Sequence, residues 1–370
     1  MIPVSNGPAH LSPRRELLDG SAAVVRGAVE AGCDFFAGYP ITPASRILGG
    51  MLRELPPRGG VAIQAEDEIA SIAMCIGAAM TGARALTATS GPGLSLYSEN
   101  IGLAIMGEVP LVIVDVQRMG PATGGATTVG QGDVQFVRWG TSGGYPIIAL
   151  AASSVADCRS LTVRAFSLAA RFRCPVFLLL DKELALTLDT VEMPPTASPE
   201  PVERLPLGDV PPLVPIGGSE LVRFTGSTHD ERGFLTKDPP TVEALNTRLA
   251  AKIQHHRRQV EFVCSDPQPG ARTLLLGYGV TAGAMRAAVQ QARTAARPVA
   301  ALTLHTLWPV PEQAIGEALD GIERLVVAEL NHGDYRRELE RLVPSRVEVV
   351  GLNRVDGELI SPAQFLDLVA

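Results

Sequence analysis

Four segments of the 370-residue sequence combine charged or hydroxyl side chains with rigid turns, and each follows a strand-like stretch. In the first, residues 38–43, Pro40 and Pro43 fix the backbone around Thr42 just before a predicted helix. A hydroxyl and free backbone N–H groups at a helix N-terminus can hold a carboxylate. Thr42 is therefore a candidate anion ligand, although a threonine that only caps the helix would give the same pattern.

The second segment is the acidic run at residues 66–68, which leads into a predicted apolar helix. If Glu68 is buried there, burial disfavours its charged form, and a protonated glutamate can donate a hydrogen bond to a ring nitrogen. The alternative is that the three acidic residues only complement the positive end of the helix dipole.

The third and fourth segments follow two further strands. Residues 90–93 form a glycine-rich turn, a pattern common in α/β proteins and weak evidence by itself. Arg118 ends a buried strand and begins a long irregular stretch that includes residues 131–133. A guanidinium suits bidentate recognition of a carboxylate, and long ordered loops often carry function. A structural salt bridge would also explain Arg118.

The elements that must position these segments alternate between helix and strand. Helices are predicted over residues 17–31, 44–55, 67–80, 94–106 and 155–171, and strands over residues 34–37, 61–64, 83–89, 110–116, 146–150 and 175–180. Apolar strands flanked by helices predict an α/β fold with a parallel sheet covered on both faces. Ligands bind at the carboxyl edge of such a sheet, which is where all four segments fall.

A smaller α/β domain is predicted after a connection in which ten prolines lie between Pro194 and Pro240. Residues 242–260 predict a basic amphipathic helix with a solvated face. Further strands are predicted over residues 273–277, 299–304, 325–328 and 347–350, and helices over residues 281–296, 311–319 and 335–342. The predicted domains are residues 1–190, residues 191–268 as the connection with the basic helix, and residues 269–370.

Composition excludes several classes of function. The net charge of −7 argues against a nucleic-acid-binding protein. No apolar run is long enough for a membrane span and no targeting segment is evident, so a cytoplasmic protein is expected. The five cysteines lack CxxC or histidine spacing, which predicts ordinary buried thiols and no metal site on this chain.

Taken together and in this order, the segments resemble the 2-oxoacid:ferredoxin oxidoreductases. The resemblance rests on YPITP at residues 39–43, the whole run 66–99, VDVQRMGPATG at 114–124, LWPVPE at 307–312 and VVAELN at 326–331. It covers about residues 17–342 and is strongest with alpha subunits of the 2-oxoglutarate branch. The implied fold is a thiamine-diphosphate pyrimidine-binding domain followed by a smaller domain like the C-terminal domain of transketolase.

The resemblance also implies roles for single residues. Glu68 matches the catalytic glutamate that hydrogen-bonds the pyrimidine N1′ of thiamine diphosphate, a contact that favours the imino tautomer. Thr42 and Arg118 match the positions that hold the substrate carboxylate. The cofactor pocket would be lined by Tyr39, Pro40, Ile41, Ser90 and Gly91.

Other parts of such an enzyme are expected on partner chains. The sequence has no GDG…N stretch for a Mg²⁺-diphosphate and no cysteine set for a cluster. The resemblance therefore implies a beta subunit that carries Mg²⁺ and a [4Fe–4S] cluster, in a hetero-oligomer of at least two alpha–beta units. A gamma subunit and ferredoxin are further candidate partners, with coenzyme A as co-substrate.

The expected reaction converts 2-oxoglutarate, coenzyme A and oxidised ferredoxin to succinyl-CoA, CO₂ and reduced ferredoxin. Two departures from the family pattern bear on the substrate: Gly333-Asp334 stands where a glycine–glutamine pair is usual, and residues 124–128 differ from the common 2-oxoglutarate loop. Pyruvate or a branched-chain 2-oxoacid is therefore an alternative. A non-oxidative thiamine-dependent decarboxylase or transketolase-like subunit, and a catalytically silent scaffold, are the other hypotheses.

Overall fold

Strands in which every residue is buried form the centre of the fold. In the computed structural model, which describes residues 14–193 and 210–369, all seven residues of Leu111–Gln117 and of Pro175–Asp181 are buried. A strand buried on both faces needs helices or another sheet on each side. The structure provides both, and the predicted α/β fold is confirmed.

The strands are β1 (Arg14–Asp19), β2 (Phe35–Gly38), β3 (Val61–Gln64), β4 (Ala85–Thr89), β5 (Leu111–Gln117), β6 (Ile148–Ala151), β7 (Pro175–Asp181), β8 (Leu188–Met193), β9 (Val263–Asp266), β10 (Thr273–Gly277), β11 (Ala300–Leu304), β12 (Thr306–Trp308), β13 (Arg324–Glu329) and β14 (Glu348–Asn353). The α-helices are α1 (Gly20–Glu30), α2 (Ser45–Glu54), α3 (Glu68–Met80), α4 (Gly91–Leu96), α5 (Ser98–Met106), α6 (Val134–Trp139), α7 (Val155–Phe172), α8 (Lys182–Leu186), α9 (Pro239–Gln254), α10 (Arg257–Val260), α11 (Thr281–Thr294), α12 (Glu312–Ala318), α13 (Arg336–Glu340) and α14 (Pro362–Leu366). A 3₁₀ turn covers Pro56–Arg58.

Two mostly parallel sheets organise these elements. The first sheet has the order β3-β2-β4-β5-β7-β6-β12, and only its edge strand β12 is antiparallel to its neighbour. The second sheet has the order β9-β11-β10-β13-β14, with β9 antiparallel. A separate antiparallel ribbon pairs β1 with β8.

Apolar side chains fill three layers around the two sheets. One layer lies between the first sheet and helices α1, α2 and α7. The second layer joins the opposite face of the first sheet, α3 and α5 to residues of the second sheet. The third layer lies between the second sheet and helices α11 and α14. Because the middle layer is continuous, the two sheets hold a fixed relation to each other.

Three predicted helices differ from the structure by more than two residues or are divided, and one of them, residues 242–260, is divided into α9 and α10. Residues 17–19 belong to β1, and α1 begins at Gly20, where the Asp19 side chain accepts a hydrogen bond from Ala22 N at 2.7 Å. The predicted helix over 94–106 is two helices, α4 and α5, and the first begins at Gly91. The strand character of β1 comes from its partner β8, which lies far away in sequence and leaves no local signal.

The short antiparallel edge strands β9 and β12 were not predicted from the sequence. Both follow or precede turns and contain only four and three residues, so they lack a measurable periodicity. Strand β12 completes the first sheet by pairing with β6, although it lies within the residues predicted as the second domain. The predicted boundaries after residues 190 and 268 stay a prediction. Residues 194–209 of the predicted connection lie outside the described residues.

The basic helix has an exposed face, as predicted, at Glu243, Thr247 and Gln254, but Lys252 does not lie on it. Lys252 of α9 is only 1% exposed, and its Nζ lies 3.0 Å from Glu108 Oε1. Arg248 donates two further hydrogen bonds to the same carboxylate, at 2.9 and 2.8 Å. Burial alone would raise the pKa of Glu108, but Arg248 and Lys252 outweigh it and lower the pKa to about 2. A buried ion cluster therefore attaches α9 to the end of α5.

The cysteine prediction is correct for four of the five residues. Cys33, Cys75, Cys158 and Cys174 are buried thiols, and burial raises the pKa of each of them. Cys264 is exposed on β9, so the prediction was wrong for this residue. Between residues 14 and 369, leaving aside 194–209, no helix has the length and apolar character needed to cross a membrane.

We expect Glu108→Gln to lower the free energy of unfolding by about 3 kcal/mol at neutral pH, because it leaves the buried Lys252 ammonium without its counter-charge. The urea midpoint of the purified chain measures this change. The pKa of Glu108 is lower in the folded chain than in the unfolded chain. The stabilisation is therefore fully present above the unfolded carboxyl pKa and is lost as pH falls from about 4.5 towards 2.

The control is Glu192→Gln, which breaks the exposed ion pair with Arg15 and should change stability by less than about 0.5 kcal/mol. Equal midpoints for Glu108→Gln and wild type at neutral pH would show that the cluster does not stabilise the fold.

Candidate active site

The carboxyl ends of four adjacent parallel strands bring the four predicted segments together. Strands β3, β2, β4 and β5 are neighbours in the first sheet and run in the same direction. Tyr39 follows β2, Glu68 begins the helix after β3, Ser90 follows β4 and Arg118 follows β5. The topology therefore places at one sheet edge four segments that extend over about eighty residues of the sequence, from Tyr39 to Arg118.

Thr42 lies in an exposed turn before α2, not at the helix cap. The cap residue is Ala44, which makes no side-chain capping bond, so the capping explanation for Thr42 is wrong. The bond between Thr42 and Pro43 is cis. Of the residues predicted to line a cofactor pocket in this turn, Tyr39 and Pro40 are exposed and Ile41 is half-buried.

Arg118 comes into direct contact with the Thr42 turn. Its Nη1 donates to the Thr42 carbonyl oxygen at 2.6 Å, although the side chain is only 6% exposed. Its Nε is buried and has no hydrogen-bond partner among the residues that the structure describes. The hydrogen bond of Arg118 thus goes to a backbone carbonyl instead of a carboxylate, and donor capacity remains for a ligand.

Glu68 is the first residue of α3, and its carboxylate turns inwards. Asp67 supplies the helix cap, since its side chain accepts from Ala70 N at 2.7 Å. Glu68 is 7% exposed and its side chain lies over the α-carbon of Gly93. A Cβ at Gly93 would be 2.9 Å from Glu68 Oε1 and would overlap Thr89 Oγ1. The absence of a side chain at residue 93 therefore makes room for the glutamate.

Buried hydroxyl groups lie at the carboxyl end of β4 at the same sheet edge, and Thr89 Oγ1 lies next to this glutamate at Gly93. The Oγ1 of Thr89 and the Oγ of Ser90 are buried without a hydrogen-bond partner in the described part of the chain. The Tyr97 hydroxyl lies 2.7 Å from Thr87 Oγ1 at the floor of the site, and burial raises the pKa of Tyr97. Unpaired buried polar atoms beside a carboxyl group fit a polar heterocycle such as an aminopyrimidine.

Two aspartates that the sequence analysis gave no role lie beneath the same turn. Asp115, in the middle of β5, is fully buried, and its carboxyl group meets that of Asp133. Burial and then Asp133 raise the pKa of Asp115, while burial raises the pKa of Asp133 to about 6. The signal in the sequence was an acidic residue inside an otherwise apolar strand.

The loop of residues 118–133 is anchored on the second sheet. Gln131 N donates to Leu330 O and Leu330 N donates to Gln131 Oε1, both at 2.9 Å. Asn331 Nδ2 donates to Gln131 O at 2.8 Å. These residues directly follow β13, so the carboxyl edge of the second sheet faces the loop that carries Arg118 and Asp133.

A second buried contact joins the two sheets nearby. Asp181, the last residue of β7, accepts a hydrogen bond from the backbone N–H of Val280. Burial raises the pKa of Asp181 to about 7. Gly279 has a φ of +61°, and a Cβ there would be 2.6 Å from Gln131 Nε2. Only glycine allows this approach.

An α/β fold that gathers a buried glutamate, unpaired hydroxyls and an anchored arginine at one parallel-strand edge has the features of a cofactor-dependent enzyme with a thiamine-binding domain. The family model "Pyruvate flavodoxin/ferredoxin oxidoreductase, thiamine diP-bdg" matches residues 26–245. The model "Pyruvate:ferredoxin oxidoreductase core domain II" matches residues 271–365.

Known proteins agree with these models. The chain is 40% identical to the 2-oxoglutarate synthase subunit KorA of Methanothermobacter marburgensis, over 95% of this chain and 97% of the relative. It is 35% identical to the ketoisovalerate oxidoreductase subunit VorB of Methanothermobacter thermautotrophicus, over 96% and 97%. A solved 2-oxoglutarate:ferredoxin oxidoreductase from Magnetococcus marinus, with 2-oxoglutarate, coenzyme A and succinyl-CoA bound, superposes with a TM-score of 0.90 at 30% identity. That match covers 96% of this chain and 64% of the longer solved chain.

The chain belongs to the 2-oxoacid:ferredoxin oxidoreductase family, as its sequence motifs predicted. Its relatives carry subunit names, which implies that other chains complete the enzyme. The cofactor of the family, thiamine diphosphate, fits the buried carboxyl group of Glu68 and the unpaired hydroxyl groups of Thr89 and Ser90 in the described part of the chain.

We expect Gly93→Ala to lower the affinity of the assembled complex for thiamine diphosphate at least about tenfold, since the new methyl group must displace Glu68 or Thr89. Titration of the cofactor by isothermal calorimetry measures this. Gly283→Ala is the control, because a Cβ on that exposed residue of α11 meets no atom within 4 Å. Unchanged affinity in Gly93→Ala would mean that the positions of Glu68 and Thr89 do not determine cofactor binding.

Proposed function

We propose that the chain is the alpha subunit of a coenzyme-A-acylating 2-oxoglutarate:ferredoxin oxidoreductase. The reaction converts 2-oxoglutarate, coenzyme A and oxidised ferredoxin to succinyl-CoA, CO₂ and reduced ferredoxin. The observation that carries the proposal is that Thr42, Glu68 and Arg118 follow adjacent strands at one sheet edge, with Arg118 hydrogen-bonded to the Thr42 turn. The near-full-length similarity to a 2-oxoglutarate synthase subunit supports the same assignment.

Glu68 would hold the pyrimidine ring of the cofactor through a hydrogen bond to its N1′ nitrogen. The side chain is buried and packed on Gly93, so its position is fixed before the cofactor arrives. Ser90 and Gly91 would line the pocket, together with Tyr39, Pro40 and Ile41 of the neighbouring turn. When bound, thiamine diphosphate supplies the electron sink for loss of CO₂.

Arg118 and Thr42 would bind the carboxylate of the oxoacid. The guanidinium is held by the Thr42 carbonyl, which leaves its other N–H groups free to pair with two carboxylate oxygens. The Thr42 hydroxyl lies in the exposed turn beside it. This arrangement orients the substrate by its charged end and leaves the reacting carbonyl to the cofactor.

The exposed part of the site suggests where the partner binds. Tyr39, Pro40 and Thr42 are accessible in the single chain, whereas catalysis of this type requires a site closed to water. We propose that a beta subunit covers this face and carries the Mg²⁺-diphosphate site and a [4Fe–4S] cluster. At least two alpha–beta units, a gamma subunit and ferredoxin complete the proposed assembly, which acts in the cytoplasm.

A branched-chain 2-oxoacid is the second candidate substrate, because the chain is also 35% identical to a ketoisovalerate oxidoreductase subunit over nearly its full length. The two candidates differ in the group at the distal end of the substrate. A carboxylate at that end requires a cationic partner, whereas a branched alkyl group requires an apolar pocket.

The purified chain with its co-purifying partners should reduce a low-potential viologen dye in the presence of thiamine diphosphate, coenzyme A and 2-oxoglutarate. Pyruvate and 2-oxoisovalerate are tested in parallel, and omission of coenzyme A is the control. We expect the highest kcat/KM with 2-oxoglutarate, by about tenfold or more. A higher value with 2-oxoisovalerate would reassign the substrate. No reduction with any of them by a complex that contains cofactor and clusters would contradict the reaction class.

Glu68→Gln should lower kcat by at least about a hundredfold, because an amide cannot exchange a proton with the cofactor ring as a carboxyl group does. The matched control is Glu66→Gln, which changes an exposed carboxylate two residues away and should keep wild-type kcat. Both values come from the viologen assay at saturating substrate. Comparable rates in the two variants would remove Glu68 from the catalytic role.

A further inference from the structure

Asp115 and Asp133 form a buried pair of acids that the proposed mechanism does not use. Asp115 is fully buried in β5, and within the described residues neither of its oxygens has a hydrogen-bond partner of normal geometry, although the backbone N–H of Gly91 is near enough to lower its pKa. Its carboxyl group meets that of Asp133. Two buried carboxylates that share one site repel each other when both are charged, so the pair retains one proton.

The Asp133 side chain contacts Asp115 and does not cap a helix. The residue stands at the N-cap position of α6, yet its side chain accepts no capping hydrogen bond from that helix. Its Oδ2 is buried without a hydrogen-bond donor among the described residues. A Cβ at Gly91 would lie 3.8 Å from Asp133 Oδ2, which places the pair directly below the Ser90–Gly91 turn.

Arg118 follows Asp115 by three residues in the sequence, and its positive charge acts on both acids without a direct ion pair to either of them in the described part of the chain. Within the described chain, the charged groups that shift the pKa of Asp133 are Asp115 and Arg118, and the Gly91 backbone amide also lowers it. Arg118 and Gly91 lower the pKa of Asp115 as well. With one proton between the two acids, the pair has a single negative charge, which balances the single positive charge of Arg118.

We propose that Asp115 and Asp133 share one proton and act as the internal counter-charge of Arg118, so that the substrate carboxylate competes with this pair for the guanidinium. The inference rests on the proposed role of Arg118 in binding the oxoacid. When the pair takes up a second proton it becomes neutral, and Arg118 is left without a counter-charge. By linkage, protonation of the pair strengthens oxoacid binding, and oxoacid binding promotes protonation.

The sign of the pH dependence follows from the titration of the pair. Burial raises the pKa of Asp133 to about 6, so the pair loses its second proton near this pH, and KM for the oxoacid should rise in the wild-type complex as pH increases from 5.5 to 7.5. The double variant Asp115→Asn/Asp133→Asn keeps the shape of the pair but cannot carry charge. Its KM at pH 7.5 should be lower than that of wild type by on the order of fivefold and should not change with pH in this window.

The viologen assay, with KM and kcat resolved at each pH, measures this difference in the assembled complex. Asp181→Asn is the matched control, because it removes another buried carboxyl with a raised pKa, one that contacts Val280 and Gln131 but has no contact with Arg118 among the described residues. It should keep the wild-type pH profile of KM, whatever its kcat. If the double variant does not assemble, Asp133→Asn alone should change KM in the same direction.

A second measurement does not depend on turnover. The folded pKa of Asp133 is raised above its unfolded value, so its contribution to stability is lost as pH rises through about 6. The thermal midpoint of the double variant should therefore exceed that of wild type by more at pH 7.5 than at pH 5.

The two measurements separate the failure of this inference from the failure of the proposed function. A difference in midpoint that does not change with pH would show that the pair does not titrate. A pair that titrates in the thermal measurement, combined with a wild-type KM that is independent of pH, would show that it is not coupled to the oxoacid. Either result overturns the inference, and the thermal result is obtained even if no oxoacid is turned over.

Discussion

The contact between Gln131 and the residues that follow β13 is the constraint on which the rest of the site depends. Its backbone and side chain pair with Leu330 and Asn331, so the 118–133 loop is fixed to the second sheet at one end and to β5 at the other. A loop held at both ends loses most of its conformational freedom. Arg118 therefore keeps its orientation towards the Thr42 turn before any ligand binds.

Buried ionisable groups recur at the points where segments distant in sequence meet. Glu108 forms ion pairs with Arg248 and Lys252 of α9 and so attaches this helix to the first sheet. Asp181 binds the turn before α11, and Asp115 of β5 contacts Asp133. A charge in a low-dielectric interior is tolerated only with a partner, so each of these contacts allows only one relative arrangement. The apolar layers supply most of the stability, and the buried charges specify which segments adjoin.

Much of the fold could be predicted from local patterns. The strands at residues 61–64 and 273–277 have the predicted bounds, because their apolar runs end at glycine or turn residues. Strands β1, β9 and β12 could not be predicted, since each exists through pairing with a distant partner. For the same reason the sequence placed Lys252 on a solvated face, whereas its partner Glu108 lies 144 residues earlier.

The sequence by itself determined the class of fold, the family and the identity of the candidate site residues, because Thr42, Glu68 and Arg118 lie in motifs that are continuous along the chain. Only the tertiary structure decided which atoms meet: the Arg118 guanidinium on the Thr42 carbonyl, Glu68 over Gly93, and Asp115 against Asp133. The physical reason is that a motif records local backbone and side-chain chemistry, whereas burial, pairing and pKa depend on neighbours that the order of strands brings together.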